Sequence, residues 1–255
     1  MTSVQEQWVR RYRDDDECAT KLICFPPAGA GASTFRTWAQ GLPTDIGVLG
    51  IRYPGREDRL NEPVPTRLED LADDIADVLG DLTGHRLVLF GHSMGASVAH
   101  EVALRFQERG HSPAALCVSG RQPTHALSGR PMIFGTDEEI IAHIVSFDAS
   151  RAEIFADEDL REIVLPAIRA DYRLVDEYGG GPRPLLDCPV YGYTGDEDTQ
   201  VTPEQMSRWG ELTRGDFRLR VFPGGHFYLR AEEAPLLADV TRVLTADKSP
   251  SATAP

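Results

Sequence analysis

Short apolar runs alternate with amphipathic segments along most of the chain. The runs of strand length are Lys21–Phe25, Gly47–Arg52, Arg86–Phe90, Ala115–Ser119, Val190–Tyr193 and Phe217–Phe222. Most are apolar enough to be buried on both faces, which is typical of parallel strands. The segments with helical spacing between them are Leu68–Leu82, Met94–Glu108, Pro203–Leu212 and Glu232–Leu244. This alternation predicts an α/β fold with a mostly parallel central sheet, right-handed crossovers and helices on both faces.

One interval, Gly120–Asp187, contains no convincing strand. Within it, Gly135–Phe147 and Asp157–Tyr178 predict helices, and Pro166 is expected to kink the second. A long insertion between two strands of a compact enzyme often covers the active site. We therefore predict a helical lid at about residues 121–186, with a surface excursion that gates nothing as the alternative.

The two ends of the chain differ from the middle. Residues 1–18 carry the charge run Arg10–Glu17 and are expected to be loosely ordered, while residues 248–255 are of low complexity and are expected to be disordered. The 255-residue length suits one α/β domain. We therefore place a single domain, including the lid, at residues 19–247.

Charge and composition exclude several classes of function. With 26 basic and 40 acidic residues, the net charge is −14, which argues against nucleic acid or an anionic membrane surface as partner. The chain has no apolar run of about 18 residues, and its first residues are not expected to form a secretion signal. Its four cysteines are scattered, without metal-binding or disulfide spacing. We expect a cytoplasmic protein that binds no metal.

The sharpest chemical signal is the pentapeptide Gly91–Gly95, which reads G-H-S-M-G. It follows an apolar strand and precedes a helical pattern, the context that a nucleophile elbow requires. The two glycines allow close backbone approach, and the helix N-terminus favours developing negative charge. Ser93 is therefore the predicted nucleophile. A phosphopantetheine-attachment serine is the less compatible alternative, because that serine begins a helix in a small helical domain. His92 is expected to be structural or to line the pocket.

A serine nucleophile needs a base and an acid that orients the base. The chain order of an α/β-hydrolase is serine, acid, histidine, and the only histidine after the last predicted strand is His226. The acid is expected after the strand Val190–Tyr193. Asp198 is favoured there by its position in the loop, and Asp196 is the alternative.

The oxyanion formed during acyl transfer requires two N–H donors. One is predicted to be the backbone N–H of Met94, directly after the nucleophile. The other should come from the loop after the strand Lys21–Phe25, where Pro26 and Pro27 have no N–H and Ala28 is the first available donor. Residues predicted to contact the substrate beside these groups are Pro27, Gly29 and Phe227.

With these residues assembled, the chain resembles the type II (editing) thioesterases of polyketide and nonribosomal peptide biosynthesis, from Trp8 to about Leu244. The motifs that carry the resemblance are Cys24-Phe25-Pro26-Pro27-Ala28-Gly29, Tyr53-Pro54-Gly55-Arg56-Glu57-Asp58-Arg59, the Gly91–Gly95 elbow, Gly195–Asp198 and Gly224-Gly225-His226-Phe227. The resemblance implies an α/β-hydrolase fold with a mobile helical lid. It also implies a triad of Ser93, Asp198 and His226, and the oxyanion donors Ala28 and Met94.

The family's reaction is hydrolysis of acyl groups from the phosphopantetheine arm of carrier proteins, which regenerates stalled synthases. The resemblance therefore implies acyl or peptidyl carrier protein domains as partners. It also implies that the enzyme has no cofactor of its own, because the phosphopantetheine arrives on the carrier. We expect a monomer. The alternatives are a carboxylesterase or lipase acting on small esters, an acyltransferase or cyclising thioesterase, and a hydrolase-fold binding protein that has lost catalysis.

Overall fold

A seven-stranded sheet forms the centre of the computed structural model, which describes residues 4–14, 18–126, 136–148, 151–179 and 181–246. Its strands are β1 (Val9–Arg13), β2 (Thr20–Phe25), β3 (Ile46–Ile51), β4 (Arg86–His92), β5 (Ala115–Ser119), β6 (Val190–Gly195) and β7 (Phe217–Phe222). The strand order is β1-β3-β2-β4-β5-β6-β7. Only the β1–β3 pairing is antiparallel among these strands, so the predicted mostly parallel α/β sheet is confirmed.

Helices cover both faces of this sheet. They are α1 (Val4–Trp8), α2 (Trp38–Gly41), α3 (Leu68–Val78), α4 (Met94–Glu108), α5 (Asp137–Phe147), α6 (Ala152–Ala156), α7 (Glu158–Glu177), α8 (Pro203–Ser207), α9 (Tyr228–Ala231) and α10 (Glu233–Thr245). Side chains of β4 alternate between two buried clusters: Leu87 and Leu89 pack with α3 and α4, whereas Val88 and Phe90 pack with α2 and α10. This period-2 alternation is what a strand buried on both faces produces.

The expectation that residues 1–18 are loosely ordered is wrong for residues 4–13. They form α1 and β1, and Val9 is buried where β1 pairs with β3. The basic residue Arg13 in this segment is tied to the fold, because its guanidinium donates hydrogen bonds to the carbonyls of Ile46 and Ala39, at 2.8 and 2.5 Å. Long basic side chains can cover apolar surface while their head groups find acceptors. The predicted tail, residues 248–255, lies outside the described residues.

Helices α5, α6 and α7 occupy the predicted insertion between β5 and β6. They share a small apolar cluster of their own, built from Ile140, Ile144, Phe155, Leu165 and Ile168. The C-terminal part of α7 instead joins the main core through Leu174 and Val175. The insertion therefore has an apolar cluster of its own, and the C-terminal part of α7 packs into the main core as well. Helix α7 continues through Pro166 as one segment.

No helix in the described part of the chain is both long enough and apolar enough to cross a membrane.

Candidate active site

Ser93 lies at a strained turn between β4 and α4. Its backbone has φ 53° and ψ −121°, a conformation that non-glycine residues rarely adopt. A Cβ atom on Gly91 would lie 2.1 Å from the carbonyl oxygen of Gly95, and one on Gly95 would lie 2.0 Å from that of Phe25. The turn can therefore form only with glycine at both positions, and it exposes Ser93 at the carboxyl edge of the sheet.

His226 and Asp198 meet at the same edge of the sheet. The Nδ1 atom of His226 lies 2.9 Å from Oδ2 of Asp198, and both side chains are buried. The other carboxylate oxygen of Asp198 accepts the backbone N–H groups of Gln200 and Val201, at 2.8 and 3.4 Å. These bonds fix the carboxylate, which in turn fixes the imidazole ring. The Nε2 atom of His226 is left for exchange with a serine hydroxyl.

Asp196 lies in the same loop but does not contact His226. It is exposed, and its Oδ1 atom accepts the backbone N–H of Gly224 at 2.9 Å. That bond ties the loop after β6 to the loop after β7, which carries His226. The sequence left Asp198 and Asp196 as candidates for the acid. The structure places Asp198 against the imidazole, whereas Asp196 contacts the neighbouring loop.

Ser93 and His226 line the same cavity, which has a volume of about 80 Å³. Pro27 and Ala28 line it on one side, and Phe227 lines it beside the histidine. These three residues were predicted to bind the substrate or the oxyanion. The cavity is thus bounded by residues that follow five strands of the sheet, β2, β4, β5, β6 and β7.

The two predicted oxyanion donors flank the serine. Met94 is the first residue of α4, so its N–H has no partner within the helix. The Pro27 carbonyl accepts the N–H of Ala30 at 3.1 Å, closing a turn around Ala28. Within the described residues, neither the Ala28 nor the Met94 amide donates a hydrogen bond to the chain. Both donors are therefore available for an oxyanion.

Gly29 does not line this cavity, contrary to its predicted contact with the substrate. Its N–H donates to Oδ2 of Asp171 on α7 at 2.7 Å. Its φ is 68°, and an added Cβ would lie 2.8 Å from Ile168 on the same helix. Gly29 therefore joins the oxyanion loop to the insertion, and its conformation and close approach both require glycine.

His92 is fully buried directly beside His226, with ring centroids 4.9 Å apart. Its Nδ1 atom lies 2.9 Å from the hydroxyl of Ser119, which lies 2.7 Å from the hydroxyl of Tyr228. Burial, together with the nearby His226, holds the pKa of His92 well below its ordinary value. His92 is therefore neutral at physiological pH and adds no positive charge beside the proposed base.

The helical insertion covers the predicted catalytic residues. His143 and Phe147 of α5, and Tyr172 and Val175 of α7, line the cavity above the sheet. The rings of Phe147 and His226 have centroids 5.7 Å apart. The insertion therefore takes the position of a lid. Gating by this lid is a prediction.

Arg121 is a cavity residue that the sequence analysis missed. It lies two residues after the end of β5, and its Nε atom is buried without a partner among the described residues. Burial lowers the pKa of this guanidinium. The signal that could have found it is positional, because the residues after a central parallel strand lie at the edge of the sheet where ligands bind.

The described residues contain no group of three or more metal-ligating side chains that could hold a metal ion.

A family model described as "Thioesterase domain" matches residues 20–244. This chain belongs to the thioesterase family. The thioesterase is 39% identical to BorB, the type II thioesterase from the borrelidin biosynthetic cluster, whose solved structure superimposes with a TM-score of 0.85; the match covers 93% of this chain and 97% of BorB.

Two further relatives come from Streptomyces. The thioesterase is 35% identical to a probable cadicidin biosynthesis thioesterase of Streptomyces griseus, over 95% of this chain and 67% of that protein. It is 34% identical to RedJ, from the prodiginine pathway of Streptomyces coelicolor, with a TM-score of 0.83 and coverage of 91% of this chain and 88% of RedJ. The resemblance to type II thioesterases and the expected hydrolase fold are confirmed, and the protein is an enzyme that hydrolyses thioesters.

Proposed function

We propose that this thioesterase removes acyl groups from the phosphopantetheine arm of acyl or peptidyl carrier protein domains, and so regenerates stalled polyketide or nonribosomal peptide synthases. The observation that carries the proposal is the cavity that Ser93 and His226 share, in a chain related to BorB over nearly its whole length. The site combines a strained serine, a histidine held by a buried carboxylate, and two free amides. This set of groups suits acyl transfer through a covalent intermediate.

In the first half of the reaction, Nε2 of His226 removes the proton from Oγ of Ser93 as this oxygen attacks the thioester carbonyl carbon. The amides of Ala28 and Met94 stabilise the resulting oxyanion. Asp198 stabilises the imidazolium without taking its proton. The tetrahedral intermediate collapses as the carbon–sulfur bond breaks, and His226 gives its proton to the departing phosphopantetheine thiolate. The product is an ester between the acyl group and Ser93.

In the second half, water replaces the thiol. His226 removes a proton from this water as the water attacks the acyl-Ser93 carbonyl, and the same two amides hold the second oxyanion. The proton then returns to Oγ of Ser93 when the ester bond breaks. The free acid leaves, and the enzyme is restored with no change in oxidation state.

The phosphopantetheine arm enters with the carrier, so the mechanism uses no cofactor or metal of the enzyme. Pro27 and Phe227 border the cavity beside the catalytic groups and are positioned to contact the arm or the acyl group. The enzyme is proposed to act as a monomer in the cytoplasm, where synthases are found.

The test is hydrolysis of a panel of carrier proteins loaded with acyl groups of different length, compared with a simple oxoester of the same acyl group. The proposal predicts higher kcat/KM for the carrier-bound thioesters and a free acid as the product by mass. Ser93→Ala is the control and should abolish turnover. A preference for the oxoester would instead support a carboxylesterase, and a product heavier than the free acid by an added amine or alcohol would support an acyltransferase.

A further inference from the structure

A buried ion pair joins the lid to the body of the enzyme. Arg56 belongs to the Pro-Gly-Arg segment after β3, and Asp171 lies on α7. The Nη2 atom of Arg56 donates to Oδ1 of Asp171 at 2.7 Å, and its Nη1 atom donates to Oδ2. Arg56 is 8% exposed and Asp171 is 1% exposed. The two-pronged geometry fixes both side chains relative to each other.

Asp171 also holds the oxyanion loop. Its Oδ2 atom accepts the N–H of Gly29 at 2.7 Å, in addition to the bond from Arg56. Arg56 in turn donates to the carbonyl of Ala30 at 3.4 Å. Asp171 and Arg56 therefore bind the loop at Gly29 and Ala30, the two residues directly after the proposed donor Ala28.

A second contact from the same segment reaches the other end of the loop. The hydroxyl of Tyr53 donates to the carbonyl of Pro26 at 3.3 Å, and the guanidinium of Arg56 lies 5.4 Å from the centroid of the Tyr53 ring. The loop is thus held before and after Ala28. Its peptide planes, which set the direction of the Ala28 N–H, have little freedom while these contacts persist.

Packing of α7 against the body of the enzyme does not by itself require a charged pair. A buried ion pair contributes little net stability compared with apolar side chains of similar volume, because both charges must be desolvated. A carboxylate, however, can accept the Gly29 amide and the guanidinium at the same time, which an apolar side chain cannot do. The ion pair is therefore better explained by its hydrogen bonds to the oxyanion loop than by the packing of α7.

We propose that Asp171, held by Arg56, is a positioning residue that orders the oxyanion loop, so that the Ala28 donor is set for catalysis only while α7 is seated on the sheet. The inference rests on the proposed function only in taking Ala28 as an oxyanion donor. It gives the Pro-Gly-Arg segment a role, which the chemistry of the triad does not. It also means that lid position and oxyanion stabilisation are coupled.

The test compares the double variant Arg56→Met/Asp171→Leu with the wild-type enzyme. The apolar pair keeps the contact filled without buried charges but removes the acceptor for Gly29. The measurement is the burst rate of acylation by p-nitrophenyl acetate, which needs no carrier protein, alongside thermal unfolding. We expect acylation to slow by roughly 10²-fold, near the effect of losing one oxyanion donor, with little change in KM.

Tyr178→Phe is the matched control. It removes the buried hydrogen bond from Tyr178 to Glu101 at the C-terminal end of the same helix, 2.7 Å long, and leaves the oxyanion loop untouched. Its acylation rate should equal that of the wild-type enzyme. Equal slowing in the control and the double variant would mean that general loosening of α7 is responsible, and would overturn the proposal.

A folded double variant that acylates at the wild-type rate would also overturn the proposal. If the double variant does not fold, the variant Asp171→Asn replaces it in the test. Asparagine keeps one acceptor oxygen, so it can bind either Gly29 or Arg56 but not both as Asp171 does. It should slow acylation and speed hydrogen exchange at the Gly29 amide, and an unchanged rate would contradict the inference. Failure of the proposed function itself would be seen separately, as wild-type enzyme that acylates with the ester but does not hydrolyse acyl carrier proteins.

Discussion

Two histidines lie side by side at the active site, and their hydrogen bonds give them different roles. His226 is bonded to the buried carboxylate of Asp198, whereas His92 is bonded to the hydroxyl of Ser119. A carboxylate stabilises an imidazolium, and a hydroxyl in a buried network does so much less. These contacts support His226 as the proposed base, and a neutral His92 avoids repulsion when His226 takes up a proton.

Exchange of Asp198 for asparagine should reduce kcat by about 10⁴-fold, because the amide would favour the wrong imidazole tautomer. The matched control is Asp196→Asn, which changes a carboxylate of the same loop whose oxygen accepts the backbone N–H of Gly224. It should keep most of the activity. The measurement is kcat on an acyl thioester for both variants, and the reverse ranking would show that the acid has been misassigned.

Sequence reasoning reached most of the site because its residues follow strands. Ser93 and His226 are marked by glycine-rich turns at strand ends, and the spacing in the Gly195–Val201 loop favours Asp198. Arg121 and Asp171 carried no such mark. Arg121 is placed at the site by its position after β5, and Asp171 by a contact with Gly29, 142 positions away. Neither relation is encoded by local periodicity.

The strand–turn–helix element around the nucleophile depends on close backbone contact. Replacement of Gly95 by alanine would place a Cβ 2.0 Å from the carbonyl oxygen of Phe25, which the backbone cannot avoid without shifting. We expect this change to reduce the free energy of unfolding by about 3 kcal/mol. Gly84→Ala is the control, since a Cβ there meets nothing within 4 Å, and it should change the stability by less than about 0.5 kcal/mol.

Both variants can be compared by urea unfolding. If Gly84→Ala were as destabilising as Gly95→Ala, the elbow would not be specially constrained.

Helix α4 contains a buried histidine that makes stability depend on pH. His100 is fully buried, its ring nitrogens have no hydrogen-bond partner among the described residues, and burial lowers its pKa to about 4. In the unfolded chain this group titrates near pH 6.5. Below that pH the unfolded state binds more protons, so stability falls as the pH decreases towards 4.

The variant His100→Leu should remove this contribution. Between pH 7.5 and pH 5 the wild-type enzyme is expected to lose about 2 kcal/mol more free energy of unfolding than the variant does. The measurement is urea unfolding at the two pH values. Equal losses would mean that His100 does not remain neutral in the folded state.

At the element level, the sequence predicted the central strands closely, because runs buried on both faces are unmistakably apolar. It did not predict α1 and β1, because the basic residues of this edge strand interrupt the apolar pattern expected of a strand. It also extended the first central helix to Leu82, whereas α3 ends at Val78 and a tighter turn follows at Gly80–Leu82. Helix ends depend on capping and packing as much as on periodicity.

At the scale of the whole molecule, the net charge of −14 bears on partner recognition. Carrier proteins are generally acidic, so long-range attraction between the two proteins should be poor. We predict that kcat/KM for an acyl carrier protein depends weakly on ionic strength or rises with added salt. The measurement is a salt titration, with a small neutral thioester as control for effects on the catalytic step. A strong loss of activity confined to the carrier substrate would contradict the prediction.

The position of the insertion over the site was predictable from its length and its place between β5 and β6. Its packing was not, because α5 to α7 bury an apolar cluster of their own and periodicity does not say which helix faces the sheet. The link from α7 to the oxyanion loop emerges only when the two are placed in contact. The proposed coupling predicts that activity depends on the seating of α7 as well as on the triad.

The most direct test of the account is the intact mass of the enzyme, measured after rapid quenching of its reaction with an acyl thioester. The account predicts a transient mass increase equal to one acyl group, located at Ser93 by peptide mapping and absent in Ser93→Ala. Turnover of the thioester by the Ser93→Ala variant, or an acyl group attached at a different residue, would contradict it.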